Sequence, residues 1–121
     1  AGAILGAVVG VAVAEAISFV FDTLGTTRKA HNLRHDPRVS LVMWNGAATA
    51  QIDGVAHEPS GKALDEAKSV YFDAFADGKE RESWADITYF RVRPSWLRVS
   101  DFRGDAPTTV ELDASTLALL D

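Results

Sequence analysis

The sequence predicts a mainly β fold: a small antiparallel barrel with two inserted helices, forming a single domain over residues 1–121. The apolar runs are short and rich in β-branched and aromatic residues, which is typical of strands. Their connections are mostly short and hairpin-like, and the regular helical crossovers that a parallel sheet needs are missing. A chain of 121 residues has room for one domain core and not for two.

The composition excludes several classes of protein. The chain is 47% hydrophobic and 24% charged, as soluble globular domains are, so it is not a disordered segment. Its 12 Lys and Arg against 17 Asp and Glu give a formal charge of −5, which does not attract nucleic acid or an anionic membrane. Cysteine is absent, which removes disulfides, thiolate metal sites and cysteine nucleophiles and favours a cytoplasmic location.

The uncharged segment from Ala1 to Ala14 permits two interpretations. Its glycines, Gly2, Gly6 and Gly10, form overlapping GxxxG repeats, a pattern of paired membrane helices. The run stops at Glu15, however, whereas a spanning helix needs about 20 apolar residues, and no cation precedes it as in a signal peptide. Its β-branched valines favour a buried strand pair with a glycine-containing turn. Because the chain starts with Ala rather than Met, we expect the amino end to be incomplete.

The next segment predicts a strand, a loop and a short helix. Ile17–Asp22 is apolar and aromatic, and turn-forming residues follow it over Thr23–Thr27. Thr27 stands at the N-cap position of a helix that begins at Arg28. This helix is expected to end at Asp36, because the residue before a proline avoids helical backbone angles.

A β-hairpin is expected after this helix. Val39–Trp44 is a compact apolar run, and Asn45-Gly46 is a strong signal for a two-residue turn. The strand Ala48–His57 then returns antiparallel to the first. Gly54 lies inside it, and a glycine at such a position indicates a bulge or a close approach of another backbone.

Apolar residues recur at helical spacing after Pro59-Ser60-Gly61, so we expect a helix with one face packed on the sheet. The residues at this spacing are Leu64, Ala67, Tyr71, Ala74 and Phe75. Gly78 is expected to cap the carboxyl end of this helix. The charged stretch Lys79–Glu82 is expected to be a solvated loop.

Two strands are predicted over Ile87–Val92 and Trp96–Asp101, with Pro94 between them marking an edge or a bend. A weaker strand follows at Val110–Leu112. The apolar carboxyl end is expected either to cover the barrel or to meet a second subunit; its leucines are Leu117, Leu119 and Leu120.

Common catalytic motifs are absent: the sequence contains no GxSxG, HExxH, Walker or GxGxxG pattern. His31 and His35 are spaced to share one helix face, which makes a metal pair conceivable, but no matching carboxylate follows. We therefore predict two exposed histidines and no metal site, and a structural role for His57. Three tryptophans, Trp44, Trp84 and Trp96, suit either a planar cofactor or a core, and by themselves they do not decide between them.

One cluster has the composition of an anion site, Thr23–Lys29. It combines three hydroxyls, a glycine, the adjacent cations Arg28 and Lys29 and the free N–H groups of a helix start. A helix amino end carries partial positive charge, Arg can hold two oxygens at once and Lys supplies a point charge, so each element suits a phosphate dianion. The alternative is an ordinary capped surface helix with two solvated cations.

These residues also support a family resemblance. In order, Phe19–Pro59 has an aromatic strand, a Thr and Gly loop, Arg-Lys, a short helix ending in Asp-Pro, an apolar strand and a strand with a glycine. This order resembles the FMN-binding split-barrel superfamily, which includes pyridoxamine 5′-phosphate oxidase. The segment Ile87–Asp101 looks like the closing strands of that family. The resemblance implies a homodimeric antiparallel split barrel with FMN bound in clefts between the subunits.

Carried over by position, the resemblance makes several residues candidates for FMN binding. These are Thr23, Thr27, Arg28 and Lys29 for the phosphate, and Thr49 where the oxidase has an amide. In a dimer with shared clefts, Trp96 or Arg98 would reach the ring or substrate from the partner subunit. Two departures matter: the stretch 7–13 lacks the cations that the oxidase supplies from an earlier strand, and the oxidase's carboxyl-terminal substrate motif is missing. We therefore do not expect oxidation of pyridoxamine phosphate itself.

The resemblance implies an FMN-dependent oxidoreductase in which flavin-mediated hydride transfer acts on an unidentified small-molecule substrate. No catalytic side chain is identified. The alternative is a non-catalytic module on the same barrel that carries or senses flavin, heme or a deazaflavin. Neither function requires nucleic acid or a membrane as a partner.

Overall fold

The computed structural model describes residues 2–4, 8–13 and 16–118. Its strands are β1 Gly2–Ile4, β2 Val8–Val13, β3 Ala16–Leu24, β4 Arg38–Asn45, β5 Ala48–His57, β6 Ile87–Asp101 and β7 Thr108–Leu112. Its helices are α1 Arg28–His35, α2 Gly61–Ala74, α3 Ala76–Glu80 and α4 Ala114–Ala118, with a 3-10 turn at Arg81–Ser83.

The strands form one sheet in the order β1-β4-β5-β6-β3-β2, with β7 paired to the second half of β6. Neighbouring strands are antiparallel except for β1 and β4, which run parallel. The two outer strands of this order, β1 and β2, follow each other in the chain. Only four Cα steps separate Ile4 from Val8, a span of at most about 15 Å. A flat sheet of six strands would place its outer strands about 24 Å apart, so the sheet has to curl.

The curled sheet confirms the predicted fold class, a mainly antiparallel half-barrel with a few inserted helices. The strands predicted over the uncharged amino-terminal segment also form, but they do not pair with each other: β1 pairs with β4 and β2 with β3. The segment that joins these two strands, residues 5–7, lies outside the described residues, and so do Leu119 and Leu120. No helix among the described residues is long and apolar enough to cross a membrane.

Strand β6 is continuous over Ile87–Asp101, so the prediction of two separate strands was wrong. Pro94 lies inside it, at the point where β6 exchanges one neighbour for another. Its first half pairs with β3 as far as Val92, and its second half pairs with β7 from Leu97 onward. Between those residues that edge of β6 has no strand partner among the described residues, so the missing N–H of the proline removes no ladder hydrogen bond from the described sheet.

A bulge in β6 decides which side chains face outward. Asp53 pairs with Trp96 and Gly54 with Pro94, so Ser95 is an extra residue with no counterpart in β5. One added residue inverts the alternation of side chains along the rest of the strand. Leu97 is therefore buried while Trp96 lies on the outer face of the sheet.

Gly54 confirms the prediction of a close backbone approach. A Cβ added to it would lie 2.5 Å from the carbonyl oxygen of Arg93 in the neighbouring strand. The register shift of the bulge falls between Asp53 and Gly54. The two strands can therefore approach this closely only where β5 has no side chain.

Two apolar clusters lie on opposite faces of the sheet. The first fills the concave side, where Ala30 and Leu33 of α1 pack among strand residues such as Phe21, Phe90 and Ile52. In the second cluster, Ala67 and Tyr71 of α2 cover Val20 and Tyr89. Thus α1 closes the interior, and α2 packs on the outer face of β3 and β6 as expected.

Three local predictions were wrong. The hairpin turn is Gly46–Ala47 rather than Asn45-Gly46, because Asn45 pairs directly with Ala48; Gly46 has a φ of 59°. Helix α2 ends before Phe75, and Gly78 lies within α3, where a Cβ would meet the Tyr71 ring at 2.8 Å. The charged stretch Lys79–Glu82 is mostly helical and holds an ion-paired arginine rather than a solvated loop.

Replacing Gly54 by Ala should lower the free energy of unfolding by about 3 kcal/mol, near the upper end of the usual cost of overpacking. The added methyl group would force the β5 and β6 backbones apart at the bulge. Urea unfolding followed by circular dichroism measures this change. An unchanged unfolding midpoint would contradict the close approach.

Candidate functional site

The candidate site is the turn between β3 and α1, residues 23–29, which we call the β3–α1 corner. Strand β3 brings Thr23 to the sheet end, where it pairs with Thr88 of β6. Helix α1 begins at Arg28, with Thr27 as its N-cap as predicted. Ala30 and Leu33 anchor the helix in the core, so the corner stands on buried elements.

The Thr27 hydroxyl is fully used within the protein. It accepts a hydrogen bond from the Ala30 N–H at 3.2 Å and donates one to the Leu24 carbonyl at 2.8 Å. Its single proton is thus committed, so in the 3.2 Å contact between the two hydroxyls Thr23 must be the donor. Thr27 therefore shapes the corner as a cap, and its proton is not free for a ligand.

Several other donors at the corner have no partner among the described residues. Among the described residues, no acceptor contacts the backbone N–H groups of Thr26, Arg28 and Lys29. The side chains of Arg28 and Lys29 likewise form no ion pair with a described residue. Arg28 is exposed and Lys29 half-buried. Helix N–H groups, the positive end of the helix dipole and two cations together are suited to bind an anion such as phosphate.

The loop of the corner is held by hydrogen bonds to both sides of Gly25. Its N–H donates to the Asp86 carbonyl at 2.7 Å, and its carbonyl accepts from Arg34 Nη1 at 2.7 Å. Arg34 also forms an ion pair with Glu58, the residue that follows β5. A Cβ on Gly25 would lie 2.7 Å from Thr88 Oγ1, so a larger residue at this position would require the Thr88 side chain to move.

A polar network lies directly behind the corner. Asp22 accepts from the Tyr71 hydroxyl at 3.0 Å and from Arg81 Nε at 3.0 Å, and Arg81 also bonds Asp77 at 3.0 Å. Burial, followed by the Asp22 charge, raises the pKa of Tyr71 to about 12, so Tyr71 is a neutral donor at neutral pH. Hydrogen bonds to Asp22 and Asp77 raise the pKa of Arg81. Tyr89 lies nearby, and its buried hydroxyl has no partner among the described residues.

The remaining predicted site residues form a second group, on the outer face of β5 and β6. Thr49 pairs with Ser100, and Trp96 pairs with Asp53. The side chains of Thr49 and Trp96 are half-buried. Arg98 is exposed and lies 3.5 Å from Glu111 in an ion pair. Thr23 pairs with Thr88 near the start of β6. At the usual rise per residue, Thr88 lies about 26 Å along the strand from Trp96. Within one chain, the structure does not bring the two groups together.

The three histidines lie on α1 and at the end of β5. His31 and His35 are exposed on α1 as predicted, with ring centroids 5.5 Å apart. Within residues 2–4, 8–13 and 16–118, no three metal-ligating side chains cluster. His57 ends β5, where desolvation and the charges of Arg91 and Arg93 lower its pKa.

Sequence reasoning missed the residues that hold the corner in place. These are Arg34, Glu58, Arg81 and Asp86. No local pattern indicates their contacts, since each joins segments that are distant in the chain. Asp86 adopts a φ of 63°, which is rare outside glycine, and only the backbone reveals it.

No family model matches the chain, and no curated protein sequence matches it significantly. Solved structures do. A heme binding protein from Mycobacterium smegmatis is 24% identical with a TM-score of 0.66, over 84% of this chain and 44% of that one. The chain thus spans less than half of that protein.

Two further structures are also similar. A general stress protein 26 from Jannaschia sp. CCS1 is 16% identical with a TM-score of 0.52, over 78% of this chain and 75% of that one. A protein from Clostridium acetobutylicum related to general stress protein 26 and described as of the pyridoxinephosphate oxidase family is 12% identical, with a TM-score of 0.55. That match covers 83% of this chain and 68% of the other. At identities this low, the structural matches establish a shared fold and nothing more.

Replacing Arg81 by Ala should lower the free energy of unfolding by about 2 kcal/mol, because Asp22, whose side chain is only 11% exposed, loses its charged partner. Arg103→Ala is the matched control, since its ion pair with Asp101 is exposed and should contribute little. Urea unfolding measures both. If Arg81→Ala lowered the urea midpoint of unfolding no more than Arg103→Ala does, the Asp22 network would not stabilise the fold.

Proposed function

Since this chain has the split-barrel fold of the pyridoxine-phosphate-oxidase-like proteins, we propose that it binds FMN and works as a flavin-dependent oxidoreductase. The observation that carries this proposal is the β3–α1 corner. Its cations, Arg28 and Lys29, are free of ion pairs among the described residues, and three backbone N–H groups beside them are unused. The chain is otherwise acidic, with a charge of −5, so the corner is a local positive site rather than part of a basic surface.

The residues at the corner fit a phosphate dianion in number and in chemistry. Arg28 and Lys29 would neutralise its charge, and the N–H groups of the first helical turn would donate to its oxygens. Thr27 would maintain the helix cap, and the Thr23 hydroxyl would lie beside the phosphate. Arg81 neutralises Asp22 directly behind the corner, which reduces the repulsion that this carboxylate would exert on an incoming anion.

The proposed active form is a homodimer. Thr49, Trp96 and Arg98 lie too far from the corner to touch the same flavin within one chain. A second chain related by a twofold axis could bring its outer sheet face to the corner of the first, and the same contact would then form twice. Each FMN would lie between subunits, with its phosphate on one chain and its ring against Trp96 of the other.

Bound FMN would supply the hydride chemistry, and this chain would supply binding, orientation and a cleft with little water. Among the described residues, the corner contains no histidine and no pair of carboxylates that could act as an acid or a base, and hydride transfer by the flavin requires neither. The substrate is accordingly a small molecule that exchanges a hydride with flavin. A cytoplasmic location stays a prediction.

A second candidate is a non-catalytic binding module for flavin, deazaflavin or heme. It is favoured by the similarity to a heme binding protein at a TM-score of 0.66, and by the missing substrate motif. Titration with hemin alongside FMN separates the two ligands, because bound heme has a distinct Soret absorption. Steady turnover of a reduced nicotinamide with an electron acceptor would exclude a purely carrier role.

Removing the two corner cations, Arg28→Ala with Lys29→Ala, should weaken FMN binding by about a hundredfold or more, since each charge-assisted hydrogen bond to phosphate contributes substantially. Flavin fluorescence titration gives the Kd. The matched control is Arg38→Ala with Lys62→Ala, which removes the same charge from exposed positions elsewhere. Saturating FMN that leaves both the flavin fluorescence and the melting temperature of the wild-type protein unchanged would refute FMN binding.

The shared cleft predicts complementation between two defective variants. The Arg28→Ala, Lys29→Ala variant and a Trp96→Ala, Arg98→Ala variant should each bind FMN weakly. After subunit exchange, about a quarter of the wild-type number of tight sites should return, because half of the dimers are mixed and each has one intact cleft. A monomer that binds FMN tightly, or a mixture that recovers no sites, would contradict the shared cleft.

A further inference from the structure

Two peptide groups flank Gly25, and hydrogen bonds fix the orientation of both. In the first, the Gly25 N–H donates to the Asp86 carbonyl, while the Leu24 carbonyl on its other side accepts from the Thr27 N–H and hydroxyl. In the second, the Gly25 carbonyl accepts from Arg34 Nη1 at 2.7 Å. The structure contains no cis peptide bond among its described residues.

The second peptide matters for an anion at the corner. In a trans peptide the C=O and the following N–H point in opposite directions. Because Arg34 holds the Gly25 carbonyl, the Thr26 N–H points away from Arg34, and it has no partner in the part of the chain that the structure describes. A flip of this peptide would turn a carbonyl oxygen, with its negative partial charge, to the side where the N–H now points.

Glu58 holds the Arg34 side chain in this position. It forms an ion pair with Arg34 Nε, which leaves Nη1 directed at Gly25. Glu58 follows the last residue of β5, and Arg34 lies in the last turn of α1. The end of the sheet and the end of the helix are thereby both tied to the loop at the start of the helix.

We propose that Arg34 is a positioning residue for the β3–α1 corner: by binding the Gly25 carbonyl and Glu58 together, it holds the loop with its N–H groups directed at the ligand phosphate. This rests on the proposed function, in which that phosphate belongs to FMN. Arg34 acts through the Gly25 peptide and not by touching the ligand. A preorganised loop lowers the ordering cost of binding.

The test compares two flavins that differ by the phosphate group. Arg34→Ala should raise the Kd for FMN by about tenfold, in proportion to one lost charge-assisted contact, and leave the Kd for riboflavin unchanged. Arg34→Lys, which retains one donor for the Gly25 carbonyl, should restore part of the FMN affinity. Arg38→Ala is the control, because this exposed arginine carries the same charge and is paired with Asp36 rather than with the loop.

Hydrogen exchange of the Gly25 and Thr27 amides gives a readout that needs no flavin. Both amides are bonded in the folded loop and should exchange faster in Arg34→Ala, but not in Arg38→Ala. Melting temperatures identify any variant that fails to fold, in which case Arg34→Lys and Glu58→Gln take its place in both measurements.

The outcomes separate the two proposals. A wild-type protein that binds neither flavin refutes the proposed function, and the exchange rates alone then decide the role of Arg34. Equal losses for FMN and riboflavin, equal effects of Arg34→Ala and Arg38→Ala, or unchanged exchange at Gly25 and Thr27 would each overturn the positioning role.

Discussion

The hydrogen bonds on either side of Gly25 hold together the parts of the molecule on which the proposed function depends. Through them the loop is joined to the turn before β6, to the last turn of α1 and, by way of Glu58, to the end of β5. The Thr88 hydroxyl approaches so closely that a Cβ at Gly25 would displace it. The corner is therefore fixed by tertiary contacts, and its donors are in place before any ligand arrives.

The charges of the protein support the same interpretation. Arg28 and Lys29 have no ion pair among the described residues, although carboxylates outnumber cations in the chain. Many other cations are paired with a carboxylate; these are Arg34, Arg38, Lys68, Lys79, Arg81, Arg98 and Arg103. Two adjacent free cations at a helix start, with a neutralised Asp22 behind them, form a site that an anion would complete.

Local patterns in the sequence were sufficient to predict most elements and the capped turn at the corner, whose role as an anion site stays a prediction. The Thr27 cap, the stop at Asp36 and the close approach at Gly54 each follow from the stereochemistry of one or two residues, and the structure confirms them. The continuity of β6 could not be predicted, because a proline interrupts it and only the exchange of neighbouring strands at that point makes the proline harmless. The contact of Asp22 with Arg81 and the contacts of Arg34 join segments that are distant in the chain, and no short-range sequence pattern predicts such contacts.

The proposed function requires that the backbone N–H groups of Thr26, Arg28 and Lys29 receive the phosphate of a flavin. The most direct measurement is the amide NMR spectrum of the labelled protein during titration with FMN and, separately, with riboflavin. We expect the amide signals of Thr26, Arg28 and Lys29 to shift strongly downfield with FMN and little with riboflavin. If FMN binds while these three signals stay in place, the phosphate lies elsewhere and the β3–α1 corner is not its binding site.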